Sequence, residues 1–317
     1  MELSNIQKKQ VALFNKKIKN QYYKFQYRKC LCEQSDYHII AKHDTFGMKQ
    51  NIVFCKNCGF VYCNPQLTDE SYKEFYESDE YRLIYSGADY IEKMHTFFET
   101  SGHIFELLKP ICQEKELRSV LEFGCGAGWN LLDFHKDGGF SEIKGIDYSK
   151  ELAEIGKEHG LDIRSGSIDQ IPERKFDVII LSHVVEHLTE FYQNMGKILA
   201  HLNDNGVVYI AVPNIDDFEI GQFQNAHVSY FTPRTLDCYL NKCGLTEIQG
   251  GKSEGIHMYR ILNLSTSKEG DKACENMKNE YYYMRTKVVK DLIYRRLVLL
   301  LEFFKVKALL KKLFLAK

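Results

Sequence analysis

The 317-residue chain has only five prolines, so long proline-rich linkers are excluded. It lacks any long apolar run: stretches such as Leu297 to Leu301 fall far short of the about 20 residues that span a bilayer. Its first twenty residues are polar and lysine-bearing, without the apolar core of a signal peptide. Net charge is nearly absent as well, with 42 Lys+Arg against 43 Asp+Glu, which argues against a protein that coats nucleic acid by bulk charge. Internal repeats and low-complexity tracts are missing too. What remains is a globular composition, 44% hydrophobic and 27% charged, enough for about two domains. Ten cysteines stand out. With no export signal the expected compartment is a reducing cytoplasm, where closely paired cysteines read as metal ligands before they read as disulfides.

The charge balance hides an asymmetry. Between Arg285 and Lys317 ten basic residues face only Asp291 and Glu302, a charge of +8, which leaves −9 on the rest of the chain. Apolar positions 292, 293, 297, 300, 301 and 304 in that tail follow helical spacing, and Lys305, Lys307, Lys311 and Lys312 crowd around Leu309, Leu310 and Leu313. Such a basic amphipathic helix suits peripheral contact with an anionic membrane surface or a partner; the alternative is a helix packed on its own domain with a solvated lysine face.

Along the chain the expected units are a helical, basic segment at 1–28, a cysteine-rich segment at 29–66, a tyrosine- and glutamate-rich helical linker or lid at 67–114, a catalytic domain at 115–266 and the basic helical extension at 267–317. In the first, Val11, Leu13, Phe14, Ile18 and Phe25 offer an apolar face, and the helical run of the linker is expected to end near Pro110. Strand candidates are 119–123, 143–147, 162–165, 177–182, 207–212, 246–250 and 257–264. Helical segments separate the first five, the order of a parallel sheet covered on both faces. The last two have no helix between them and suit an antiparallel pair at one edge.

The most informative stretch is Val120 to Trp129, in which a strand runs into Gly124-Cys125-Gly126-Ala127-Gly128 and then a helix. Glycine permits positive φ and a close ligand approach, and the helix start adds unpaired N–H groups. The spacing is G-x-G-x-G rather than the G-x-G-x-x-G of dinucleotide folds, and Glu122 precedes it. A carboxylate there repels a pyrophosphate but pairs with a cationic ligand group. Asp147, 25 residues past Glu122 at the end of the next strand, stands where an acid accepts hydrogen bonds from ribose hydroxyls.

These residues resemble the class I S-adenosylmethionine-dependent methyltransferases. Residues 120–128 look like that family's first signature, Asp147 its ribose-binding acid, 176–188 its fourth-strand signature and 205–214 its fifth strand; the resemblance covers about residues 115–265. It implies an α/β, Rossmann-like, seven-stranded and mostly parallel sheet with helices on both faces, preceded by a small zinc-ribbon-like module and followed by a helical extension. It further implies that Glu122, Gly124, Cys125, Gly126 and Gly128 hold the methionine part of the cofactor, that Asp147 with Tyr148 takes the ribose, that Ser167 and Ile168 flank the adenine, and that Ser182 and His183 close the site.

Cys30-x-Cys32 and Cys55-x-x-Cys58 are separated by 22 residues. Two such hooks can form a tetrahedral Cys₄ zinc site, and a segment this small needs a metal's stabilisation. The segment, with Phe60 to Pro65 after it, is similar to the N-terminal zinc-binding module ahead of some sugar methyltransferases. It departs from that pattern at Cys30-x-Cys32, where Lys29 stands in place of an outer cysteine; Cys63 is a further candidate ligand. Cys112, Cys125, Cys238, Cys243 and Cys274 lack ligand-like spacing and are expected to be buried thiols.

For the chemistry, histidine is the natural base near neutral pH. His183, Glu186 and His187 fall at the C-terminal end of the fourth strand, the edge where open parallel sheets bind ligands. The resembling sugar methyltransferases carry a Glu-His pair there, which supports His187 as base with Glu186 as its partner; the alternative is a histidine that caps a helix or packs beneath the cofactor. His227 is a second base or a loop anchor, and Thr232-Pro233 after it starts a helix. Tyr72, Tyr76, Tyr81, Tyr85, Tyr90 and Tyr230 are read first as packing. The expected function is methylation of a sugar hydroxyl on a nucleotide-linked, lipid-linked or surface glycan acceptor. The alternatives are a quinone precursor or secondary metabolite, a keto-sugar carbon, and a non-catalytic adaptor. No Asn-Pro-Pro-aromatic signature points to nucleic acid.

Overall fold

The computed structural model describes residues 3–87, 90, 96, 98–99, 103–171, 174–217, 223–252, 257–265, 274 and 277–303, the side chains of 168, 295 and 298–303 excepted. The first helix, α1 (Asn5–Lys19), starts at a capping box of Ser4 and Gln7 and buries Val11 and Phe14. It is shorter than the 1–28 expected, because Asn20 caps it and Gln21 takes a positive φ. Phe25 is not on the helix at all: β1 (Phe25–Gln26) pairs with β5 (Gln66–Leu67). Between them run β2 (Tyr37–His43), β3 (Lys49–Cys55) and β4 (Val61–Cys63). Two short helices follow, α2 (Asp69–Glu77) and α3 (Asp79–Tyr85), and then α4 (His103–Glu114), which carries Pro110 inside it rather than ending there. Proline removes one N–H and crowds one carbonyl, a cost that the buried face of Ile104, Phe105, Leu108 and Cys112 offsets.

The large sheet contains β6 (Ser119–Phe123), β7 (Glu142–Asp147), β8 (Asp162–Ser165), β9 (Phe176–Ser182), β10 (Leu202–Pro213), β12 (Leu245–Lys252) and β13 (His257–Leu264). Its order is β12-β13-β10-β9-β6-β7-β8. The five strands from β6 to β10 pair in parallel, and β13 runs antiparallel against both β10 and β12, so the edge pair expected from the missing helix is present. Between strands lie α5 (Leu132–Asp137), α6 (Lys150–Glu158), α7 (Phe191–Leu199) and, after β11 (Ser229–Tyr230), α8 (Pro233–Lys242). Thr232 caps α8 and Pro233 opens it. Strand alternation divides the core: Val178 and Ile180 pack with Leu108, Phe134 and Ile155 on one face, Ile179 and Leu181 with Met195, Ile198 and Leu236 on the other.

The cysteine-rich strands are not a separate layer. Strand β11, more than 160 residues downstream, completes the sheet β11-β4-β3-β2, and Phe60 packs against Phe231 and Tyr239 of the larger domain. Cys238 and Cys274, expected as separate buried thiols, are joined in a disulfide; their separation of 36 residues carries no spacing signal. The last helix, α9 (Met277–Phe303), buries Met284 and Val288 and exposes Tyr282, Val289, Ile293 and Leu297. The tail positions 304–317, including the lysine cluster, lie outside the described residues. Among the described residues, no helix is long and apolar enough to cross a membrane.

Candidate active site

The glycine loop ends β6 at the carboxyl edge of the sheet. Gly124, Gly126 and Gly128 all have positive φ. At Gly124 an added Cβ would come within 2.8 Å of Val184, so the loop folds tightly over the turn after β9. Glu122 is 1% exposed. Its Oε1 accepts a 2.7 Å bond from Asn130, and its Oε2 is buried without a partner among the described residues. Burial pushes its pKa up to about 8 despite the Asn130 bond. Asp147 reaches back to the loop: Oδ2 accepts from Gly126 N–H at 2.9 Å and Oδ1 from Ser149 N–H at 2.8 Å. Burial raises its pKa, opposed by those two bonds and by the nearby Arg82 charge.

The orphaned oxygen tests the fit of S-adenosylmethionine. A buried acid held protonated for want of a counter-charge fits a ligand group that is cationic and donates hydrogen bonds, as an ammonium does. Tyr148 is exposed beside Asp147 and stacks at 6.3 Å on Tyr76. Ser167 is partly buried, its N–H bound to Gln170 Oε1, and Ile168 opens a 3₁₀ turn. Cys125 is buried.

The helices before the sheet also reach this edge. Arg82 bonds Ser149 Oγ and Glu151, both at 3.0 Å. Nothing local in the sequence signals the site partners of Arg82 or Tyr76, which lie 67 to 150 residues away.

At the end of β9, partly buried Ser182 leads into His183, a non-glycine residue at φ 57°, and such conformations gather at functional sites. His183 N–H bonds Ala211 O, and its Nδ1 lies 3.2 Å from Glu186 Oε1. The hydrogen bond of Glu186 therefore goes to His183 rather than His187. Burial alone would raise the Glu186 pKa, but the surrounding histidines bring it down to about 2. Burial works against the His183 imidazolium, yet the Glu186 carboxylate raises its pKa.

His187 is held differently. Its Nδ1 lies 2.8 Å from Ala226 O, and a carbonyl only accepts, so Nδ1 carries the proton and Nε2 the lone pair. Tyr76 Oη sits 3.0 Å from the same nitrogen and donates to Ala226 O at 3.2 Å. Tyr85 and Tyr72 bind the same loop, through Ala226 N–H and Asn225 O. His227 stands edge-to-face with His187 at 4.9 Å. Burial lowers the His187 pKa, and burial with its histidine neighbours takes His227 down to about 3, so both rings are neutral near pH 7. Tyr230 is tied to Gln224 in the loop's own fold. The tyrosines thus build the frame of the histidine cluster, which packing alone does not describe.

The four sulfurs of Cys30, Cys32, Cys55 and Cys58 lie within 4.8 Å of one another, with Cys30–Cys58 at 3.5 Å and Cys32–Cys55 at 3.6 Å. A tetrahedral zinc with bonds of about 2.3 Å places sulfurs about 3.8 Å apart. Asn57 donates its backbone N–H to Cys55 Sγ and its amide to Cys32 Sγ, the outer-shell support such ligands need. Cys63 is elsewhere, its thiol donating to His227 O.

The family model for methyltransferase domains matches residues 87–249. A ubiquinone biosynthesis O-methyltransferase of Rhodopseudomonas palustris (strain HaA2) is 29% identical over 102 residues, 30% of this chain and 40% of the relative. An uncharacterised protein of Rickettsia prowazekii (strain Madrid E) is 33% identical over 128 residues, 36% of this chain and 49% of the relative. The chain thus spans less than half the length of these curated relatives. A solved S-adenosylmethionine-dependent methyltransferase from Clostridium acetobutylicum overlaps 50% of this chain and 90% of its own at 15% identity and a TM-score of 0.43. The chain belongs to the methyltransferase-domain family.

Proposed function

We propose that the protein transfers a methyl group from S-adenosylmethionine to a hydroxyl oxygen, with a sugar as the preferred acceptor. The observation that carries the reading is the pairing, on one sheet edge, of a cation-seeking acid at Glu122 with a neutral imidazole at His187. When bound, the cofactor supplies an electrophilic methyl on a sulfonium, already a good leaving group. The chain's own residues then have three tasks: Glu122 and the glycine loop hold the methionine end, Asp147 the ribose, and His187 Nε2 takes the acceptor's proton. The fixed Nδ1–H keeps that lone pair in place.

A sugar acceptor is supported by the likeness of the cysteine module to those of sugar methyltransferases. A quinone precursor is the second reading, supported by the named activity of the Rhodopseudomonas relative. In both, the four cysteines hold a structural zinc, and the exposed apolar residues of α9 beside Arg285 and Lys290 favour contact with an anionic membrane.

Calorimetric titration with S-adenosylhomocysteine, beside Asp147→Ala, tests the cofactor half; micromolar binding weakened in the variant is expected. No binding by folded, zinc-replete protein would leave a non-catalytic scaffold as the better reading. Turnover on nucleotide sugars against catechols then separates the acceptors.

A further inference from the structure

One carboxylate oxygen of Glu186 and one ring nitrogen from each of His187 and His227 lie within 4.8 Å of one another. Glu186 is 1% exposed, and its Oε2 is buried without a partner among the described residues. An orphaned carboxylate oxygen in a dry site is costly unless something cationic meets it. His183 satisfies only the other oxygen, Oε1. His187 Nε2 keeps a free lone pair because Nδ1–H is bound to Ala226.

We propose that Glu186, His187 and His227 bind a first-row divalent transition cation, which in turn receives two neighbouring oxygens of the acceptor. Two imidazoles and one carboxylate are the donor set of open catalytic sites, with positions left for substrate. Magnesium and calcium prefer all-oxygen shells and fit less well. The anchoring is already present: Ala226 and Tyr76 orient His187, and the loop carrying His227 is pinned by Tyr72 and Tyr85. With the cation seated, His187 would hold it through Nε2, and the cation would acidify the bound hydroxyl so that its proton passes to solvent water; without the cation, His187 takes that proton itself. An acceptor with adjacent hydroxyls, a sugar cis-diol or a catechol, then chelates where a lone hydroxyl does not. The acceptor half rests on the methyl-transfer reading; the cation site does not.

The test uses full-length protein brought to one zinc per chain, the complement of the four cysteines, and titrated with Mn²⁺, a poor partner for thiolates. Binding is read by loss of the free-ion electron paramagnetic resonance signal. About one Mn²⁺ per chain is expected, weakened roughly 10- to 100-fold in His227→Gln and in Glu186→Gln, with S-adenosylhomocysteine affinity unchanged as the check on folding. Imidazole nitrogen coupling in the bound Mn²⁺ spectrum of the unaltered protein is also expected, and it decides the matter even if a variant fails to fold. Absence of Mn²⁺ binding, absence of nitrogen coupling, or full binding retained by both folded variants would overturn the site. Failure of S-adenosylhomocysteine to bind alongside intact Mn²⁺ binding would instead remove the methyl-transfer reading. Catechol and a methyl glycoside with a cis-diol, each titrated with and without Mn²⁺, tell the two acceptor sources apart; no gain for either would overturn the acceptor half.

Discussion

Glu122 and Glu186 sit at the carboxyl edge of adjacent strands, each 1% exposed, each with one oxygen bonded and the other orphaned. Their ionisation is opposite. Glu122 is pushed up to about 8 by burial and by the nearby Asp147 charge, against one bond from a neutral amide, whereas Glu186 is brought down to about 2 by three histidines. Equal burial therefore gives opposite chemistry, and the neighbours decide it. Glu122 has no positive charge bonded to it and must receive one. Glu186 instead has three imidazoles around it, and the cluster can hold a neutral imidazole beside a carboxylate.

The largest expected effect separates the two halves. His187→Ala should slow turnover by about 10²- to 10⁴-fold, the range for a lost base, while leaving S-adenosylhomocysteine affinity within a few-fold. Full activity in single-turnover kinetics would move the base to His227 or His183. Asp147→Ala should do the reverse. It removes an acceptor of two bonds at the loop, and charged hydrogen bonds are worth about 1.5–3 kcal/mol. Cofactor affinity should fall roughly 10- to 100-fold, and saturating cofactor should restore most of the rate. Equal losses in both parameters for both variants would erase the distinction.

The two halves also differ in how far they could be read. The cofactor edge is local: strand, glycine loop, helix and the Asp147 strand follow one another, and hydrophobic period and glycine spacing report such units. The antiparallel pair β12 and β13 was legible for the same reason. The histidine cluster draws on Tyr76, residues 183–187 and residues 226–227. Its histidines were visible as a spacing, but the Ala226 carbonyl that fixes the His187 tautomer was not, since any residue supplies a carbonyl. The bond from Glu186 to His183 turns on a positive φ that no pattern encodes. Strand β11 likewise completes the cysteine sheet from far along the chain, and two-residue strands carry no period. The Cys238–Cys274 disulfide was invisible because 36 residues separate its ends.

A third expectation concerns stability against pH, where the two acids should pull in opposite directions. Folded Glu122 holds its proton from its usual 4.5 up to about 8, so over that window the folded state binds more protons than the unfolded one. Its contribution to stability then falls as pH rises, by a few kcal/mol at most. Glu186 titrates near 2 when folded; its contribution is present above 4.5 and is lost as pH falls towards about 2. Urea unfolding across pH should show both limbs. Glu122→Gln should flatten the first and Glu186→Gln the second. Bound cofactor should also flatten the Glu122 limb, because an ammonium beside the carboxylate favours the charged form.

The smallest effect comes from the residue that touches both halves. Tyr76 donates to Ala226 O and contacts His187 Nδ1 through its hydroxyl, while its ring stacks on Tyr148 beside Asp147. Tyr76→Phe keeps the ring and removes the hydroxyl. Ala226 O still accepts from His187, so the loss should be about 0.5–1.5 kcal/mol, or roughly 2- to 10-fold in kcat. Cofactor affinity should hold, since Asp147 is secured by backbone N–H groups that the change does not touch. A drop in S-adenosylhomocysteine affinity larger than the drop in kcat would show that Tyr76 serves the cofactor edge through Tyr148, and that the boundary between the halves runs through the α2 helix and not along the sheet edge.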